Sequence, residues 1–154
     1  MRGAEWRVAS PDPNQMTAWR QMRQALWPEM TEAENLHETE AMITATSRFF
    51  VRIAMNREDK PVGFVEATVR NDYVNGCATS PVVFLEGIYV EPEARRQGIA
   101  RTLVGAVEEW GRKMDCREFA SDALLENSDS HSMHRALGFE ETERVVYFRK
   151  DLLS

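Results

Sequence analysis

The sequence predicts a mixed α/β fold, and three observations lead there. Apolar runs of strand length are interleaved with stretches of helical spacing. Their order along the chain reads β-α-α-β-β-β-α-β-α-β. A glycine-broken basic turn, "ARRQGIAR" at 94–101, joins an apolar strand to an amphipathic helix, as α/β folds join theirs. A chain of 154 residues suits one domain with a sizeable core, so 1–154 is expected to form a single domain.

The elements can be justified in order. "EWRVA" (5–9) suits a first strand. Ser10 or Asp12 can cap the next helix, with Pro13 in its first turn. Trp19, Met22, Leu26 and Trp27 keep helical spacing until Pro28 stops the run. An acid-rich helix is expected over about 31–46. "RFFVRIAMN" and "VGFVEATVR" read as strands joined by the turn "REDKP". The loop "NDYVNGCATSP" follows and is long for a hairpin, as functional loops often are. A strand at 82–90, the basic turn and a helix come next. That helix has Ile99, Leu103, Val104, Val107 and Trp110 on its core side. A strand at 116–122, a helix at about 128–137 and a strand within about 142–150 complete the reading.

Composition narrows the function classes. The formal charge of −6 disfavours nucleic acid as the main partner and favours a cationic or neutral one. No apolar run approaches the ~20 residues of a bilayer span, and "MRGAEWRVASPDPNQ" has no signal-like apolar region. A cytoplasmic protein without a membrane partner is expected. Cys77 and Cys116 are too few for a disulfide framework. They are expected to be inert, since neither has an obvious His or Asp partner that would activate it as a nucleophile. His131 and His134 are spaced i, i+3, but nothing adjacent completes a ligand set, so no metal is expected. Glu32, Glu34, Glu38 and Glu40 fit a solvated helix face that could also attract a cation at long range.

The basic turn has a chemical logic. A helix N-terminus leaves backbone N–H groups unpaired at the positive end of its dipole. Gly98 keeps side-chain bulk away from those donors, and Arg95, Arg96 and Arg101 add positive charge suited to phosphate. No Gly-Lys-Ser/Thr follows, so this is not a P-loop. Taken alone, the stretch fits either an anion cradle or a solvated basic turn.

Arg95-x-x-Gly98-x-Ala100 matches the Q/R-x-x-G-x-G/A signature of the GCN5-related N-acetyltransferases, and "ENSDSHSMHRALGFEE" resembles that family's second motif. Within it, "WP", "NDYVNG", "SPVVFLEGIYV", "CREFASD" and "LGFEETERV" resemble the aminoglycoside 6'-N-acetyltransferases. The resemblance implies a mixed sheet splayed between the strands at 82–90 and 116–122. It implies acetyl-CoA as cosubstrate, with pantetheine along Ile88, Tyr89 and Val90 and pyrophosphate on the turn Arg95, Arg96, Gln97, Gly98, Ile99, Ala100 and Arg101. Asn127 would bond the pantetheine, and the Val90 N–H would hold the developing oxyanion.

The resemblance also places Trp27, Tyr73, Glu86, Asp122 and Glu143 around a polycationic antibiotic and implies resistance to it. Carboxylates and flat aromatic faces suit such a substrate. Glu86 is the one charge in the strand "VVFLEGI", where a carboxylate costs stability unless paired or solvated. It is the candidate base or ammonium holder. Each residue has a plainer alternative: an edge position for Glu86, a turn or cap for Asp122, core packing for Trp27, a loop aromatic for Tyr73, a solvated charge for Glu143. His134 stands where many relatives carry a Tyr that protonates the CoA thiolate, which leaves His134, Tyr147 or water as the acid. Relatives of this subgroup are often homodimers, and "VVYF" could contribute to the interface. Two other functions remain open at this point: acetylation of another amine (polyamine, amino sugar or protein N-terminus), and a non-catalytic acyl-CoA-binding module.

Overall fold

The computed structural model describes residues 6–153, so Glu5, counted into the first strand, lies outside the described residues. The chain divides into two compact units, one ending at Asp122 and one running from Ala123 onward.

The first unit is built on a five-stranded sheet in the order β1-β2-β3-β4-β5. Its strands are β1 (Trp6–Ala9), β2 (Phe49–Asn56), β3 (Pro61–Arg70), β4 (Val82–Val90) and β5 (Phe119–Ala120). Neighbours pair antiparallel as far as β4, and β5 runs parallel to β4. Helices α1 (Met16–Leu26) and α2 (Glu32–Thr44) precede β2, and α3 (Ile99–Lys113) forms the crossover from β4 to β5. Asp12 rather than Ser10 is the cap: its carboxylate accepts from the Asn14 N–H and forms a capping box with Gln15, in a short helical turn leading into α1. Thr31 and Glu34 form the same reciprocal cap on α2.

Alternation along the strands sorts side chains between the two faces. Phe64 of β3 joins Trp19 and Met22 of α1 in the core on one face. On the other, Gly111 of α3 sits against Val83, where an added Cβ would lie 2.8 Å from the Val83 Cγ1. Ile99, Leu103, Val104 and Val107 are buried, as their spacing predicts, and Trp110 stacks on Phe50 with ring centroids 5.1 Å apart.

Two strand expectations need correction. The strand expected at 116–122 contracts to Phe119–Ala120, because Cys116 is still bound into the end of α3, its N–H donating to the Gly111 carbonyl at 2.9 Å. The β4–β5 ladder consequently covers only Val83 and Phe84, while β4 runs on to Val90. This is the splay expected between the two strands.

The second unit holds α4 (Ser128–Ala136), capped by Asn127, whose Oδ1 accepts from the Ser130 N–H at 3.1 Å. The strand expected within 142–150 is not formed among the described residues. A strand requires a ladder partner for its backbone groups. Without one, the apolar side chains of this segment stand in solvent, with Val146 76% and Phe148 92% exposed.

Candidate active site

The site is organised by a break in the β3–β4 register. Glu66 pairs with Gly87 and Ala67 with Leu85, which leaves Glu86 as an extra residue in β4. Such a bulge re-aims side chains. Thr68 lies on the same face of β3 as Glu66, and Glu86 is turned toward it: the Thr68 hydroxyl donates to the Glu86 Oε1 at 2.6 Å and the Arg70 Nη2 to the same oxygen at 3.0 Å. The Glu86 side chain is 32% exposed and lines an open groove of about 690 Å³ with Tyr73, Asp72, Arg48 and Arg70. Glu86 and Tyr73 are thus brought together. The groove is not a purely acidic pocket, because two arginines face its two carboxylates.

Trp27 does not line this groove. It ends α1 and lies across Gly87, where a Cβ would stand 2.5 Å from the Trp27 Cη2. Its ring packs at 6.2 Å from Phe64, with the Arg23 guanidinium 5.1 Å from its centroid. Asp122 is exposed and lies beyond the end of β5.

At the other end of β4 the chain enters the basic turn. Arg96 (φ 65°) and Gly98 (φ 90°) both take the left-handed conformation, which bends the chain so that Gly98 becomes the N-cap of α3. No side chain caps α3, so the first N–H groups of the helix are available to an anion. Arg96, Gln97 and Arg101 are exposed around them, and the donor set suits a pyrophosphate. Arg95 has a local role: its Nε donates to the Val90 carbonyl at 2.8 Å, and its guanidinium lies 5.7 Å from the Tyr89 ring. It latches the turn to the strand. Ile88 and Tyr89 are half-buried in the part of β4 that lacks a β5 partner.

A buried polar network behind β4 escaped sequence reading. Glu66 is 3% exposed and accepts through Oε2 from the Trp19 Nε1 at 3.0 Å and the Arg23 Nε at 2.8 Å. Arg23 also donates to the Asn35 Oδ1 at 2.7 Å and the Glu38 Oε2 at 2.6 Å. Burial pushes the Glu66 carboxyl above its ordinary value, against the opposing pull of Arg23 and Trp19. The signal was available: Glu66 is a charge within the apolar strand "VGFVEATVR", the same feature that singled out Glu86.

These features can be set beside known proteins. The model of the acetyltransferase (GNAT) family matches residues 18–139. The chain belongs to the GNAT acetyltransferase family. An aminoglycoside N(6')-acetyltransferase type 1 from Acinetobacter baumannii is 48% identical over 139 residues, 90% of this chain and 94% of that protein. The crystal structure of the aminoglycoside 6'-N-acetyltransferase AAC(6')-Ih from Acinetobacter baumannii superposes with a TM-score of 0.91 at 45% identity, covering 96% of this chain and 99% of that one. AAC(6')-Iy, solved in complex with the bisubstrate analogue CoA-S-monomethyl-acetylneamine, gives a TM-score of 0.90 at 42% identity over 96% and 99% of the two chains.

In this GNAT chain the remaining expected residues fall in the second unit. Asn127 caps α4. The His134 Nδ1 lies 2.7 Å from the Ser130 carbonyl, and its ring meets Phe139 edge-on at 5.2 Å. Donation from Nδ1 to that carbonyl fixes the tautomer, so a neutral His134 carries no proton on Nε2, and only the imidazolium could act as acid from that atom. Glu143 and Tyr147 are exposed. Among the described residues no three His, Cys, Asp or Glu side chains gather in metal-binding fashion, and no helix is long and apolar enough to cross a membrane. Burial and neighbouring acids push both cysteine thiols up, Glu118 acting on Cys77 and Asp115 on Cys116, and this keeps them protonated.

Glu118 is a second residue missed in the sequence. Its carboxylate accepts from the backbone N–H groups of Ala78 at 2.9 Å and Thr79 at 2.7 Å and from the Thr79 hydroxyl. It thereby fastens the loop that carries Tyr73 and leads into β4. Those bonds hold its carboxyl below its ordinary value. A depressed folded value means the anchorage is complete above the usual glutamate range of about 4.3 and is lost as the pH falls through the folded value. Glu118→Gln is expected to speed amide exchange across 74–80 at neutral pH and to abolish the acid-induced loosening expected of the parent chain. Identical exchange in both proteins at both pH values would refute the anchor.

Proposed function

We propose that this chain is an aminoglycoside 6'-N-acetyltransferase, transferring the acetyl group of acetyl-CoA directly to the primary 6'-amine of the antibiotic and so conferring resistance. The observation that carries the reading is strand β4. On one side its bulge aims Glu86 into a groove, and its far end, free of β5, leads into the uncapped N-terminus of α3. A cationic amine and an acyl-CoA would therefore meet along one strand. The named relatives supply the substrate class.

In this reading the pyrophosphate lies on the α3 amides with Arg96, Gln97, Ile99, Ala100 and Arg101 around it, while Arg95 holds the turn in place. Pantetheine follows Ile88 to Val90 and bonds Asn127. The Val90 N–H polarises the thioester carbonyl as the tetrahedral oxyanion forms. Glu86 holds the ammonium and takes its proton, directly or through water. The free amine then attacks the carbonyl carbon, the C–S bond breaks, and the new amide nitrogen sheds its extra proton to water. The departing thiolate is protonated by His134 as imidazolium, by Tyr147, or by water. Tyr73, Asp122 and Glu143 bind the antibiotic, Trp27 backs the β4 bulge rather than lining the groove, and holding both substrates in one geometry contributes much of the rate. No metal takes part.

The family match crosses the boundary at Asp122, which supports reading both units as one acetyltransferase domain. We extend the reading to a cytoplasmic homodimer with the exposed segment Val145, Val146, Tyr147 and Phe148 contributing to the interface. Sedimentation would read that mass directly, and a monomer would refute it.

The decisive experiment follows thiol release from acetyl-CoA over a panel of amines that includes kanamycin-like and gentamicin-like antibiotics. Turnover confined to polyamines or peptides, or CoA binding without turnover, would overturn the assignment. Glu86→Gln and Asp122→Asn are each expected to lower aminoglycoside turnover or affinity at least about tenfold, since an enclosed ammonium contact is worth ~2–5 kcal/mol. Acetyl-CoA affinity should stay near that of the parent. Unchanged antibiotic kinetics in both variants would give the carboxylates a structural role only.

A further inference from the structure

A buried ion pair is a weak source of stability, because desolvation consumes most of its Coulombic gain. Stability is therefore a poor account of Arg23 and Glu66, whose side chains are 3% and 4% exposed. Their surroundings indicate another role. Glu66 sits directly across from Gly87, at the step where the register breaks to create the bulge. Arg23 binds Glu66 and lies against the face of Trp27. Its backbone carbonyl also receives the Trp27 N–H at 2.8 Å. The far edge of the Trp27 ring fills the space over Gly87. From the other side Asn35 and Glu38 of α2 complete the hold on Arg23. The bulge residue beside Gly87 is Glu86.

We propose that Arg23 and Glu66 are positioning residues for the reaction: by fixing Trp27 over Gly87 they hold the β4 bulge in the register that aims the Glu86 carboxylate into the groove. The pair contacts no substrate and acts through Glu86. The inference rests on the aminoglycoside reading only for the choice of assay.

The test is the paired variant Arg23→Met with Glu66→Gln, which removes both charges and leaves an acceptor for the Trp19 N–H. In the parent background kcat/KM for the aminoglycoside should fall about tenfold, and in a Glu86→Gln background by less than about twofold, because the pair has then lost the group it positions. Amide exchange across 84–90 should accelerate by about fivefold or more while that of α3 stays constant. Equal kinetic losses in both backgrounds, or unchanged exchange at 84–90, would overturn the proposal. If the parent chain acetylates no aminoglycoside, the functional reading fails by itself and the exchange measurement still decides the positioning role. Should the paired variant not fold, Glu38→Gln loosens Arg23 from its exposed side and should give the same pattern at smaller amplitude.

Discussion

Gly98→Asp is expected to abolish acetyl-CoA binding in a chain that still folds. Gly98 caps α3 at φ 90°, and α3 has no side-chain cap, so its first amides are the donors offered to the pyrophosphate. A Cβ at this position would meet the Trp6 ring at 3.6 Å, an ordinary contact. The folding cost is therefore the left-handed backbone alone, roughly 1–2 kcal/mol and less for an aspartate, which tolerates that region. The effect on the ligand is far larger. A carboxylate would cap the amides itself and set negative charge against the diphosphate, removing both the donors and the field that favour it. Calorimetric titration with acetyl-CoA, beside a thermal melt, separates the two effects. Parent-like affinity in the folded variant would refute the cradle.

Arg23→Met alone is expected to destabilise the fold severely. It leaves Glu66 buried without its charge partner, a situation that typically costs about 3–5 kcal/mol. At ~2–4 °C per kcal/mol for a chain of this size, the melting temperature should fall by roughly 6–20 °C. The loss should depend on pH in a defined direction. Burial already raises the Glu66 carboxyl and Arg23 opposes that rise, so without Arg23 the folded value climbs further while the unfolded value stays ordinary. A raised folded carboxyl costs nothing where both states are protonated. The penalty grows as the pH rises from the unfolded value to the folded one. The gap between variant and parent should thus be smallest in acid and largest at neutral pH, as read from urea midpoints. A gap that is constant with pH, or absent at neutral pH, would show that Glu66 is not the source.

Much of this architecture was legible beforehand because it depends on neighbours in sequence. Asp12, one of the two caps the sequence offers for the first helix, closes on Gln15 within a single turn. The buried stripe of α3 follows from 3.6-residue spacing. The uncapped turn at Gly98 needs only its own residues and the helix behind it. Where an element depended on a distant partner, the reading went astray. The segment 142–150 has the residues of a strand, but backbone hydrogen bonds require a second strand, and none among the described residues is paired with it. The strand at 116–122 was shortened by the winding down of α3 into Cys116, which strand propensity does not register.

The same division runs through the site. By itself the sequence determined the mixed α/β order, the glycine-broken basic turn before α3 and the presence of a carboxylate in the strand before it. Each of these is a property of a short stretch and its own backbone. Only the tertiary structure decided what that carboxylate touches. Bulge register, the pairing of Glu86 with Thr68 and Arg70, the placement of Trp27 over Gly87 and the burial of Arg23 against Glu66 all join residues on different elements. Periodicity assigns a residue to a face of its own strand. It cannot count the extra residue that shifts one strand against the next, because that shift is set by what packs across the sheet.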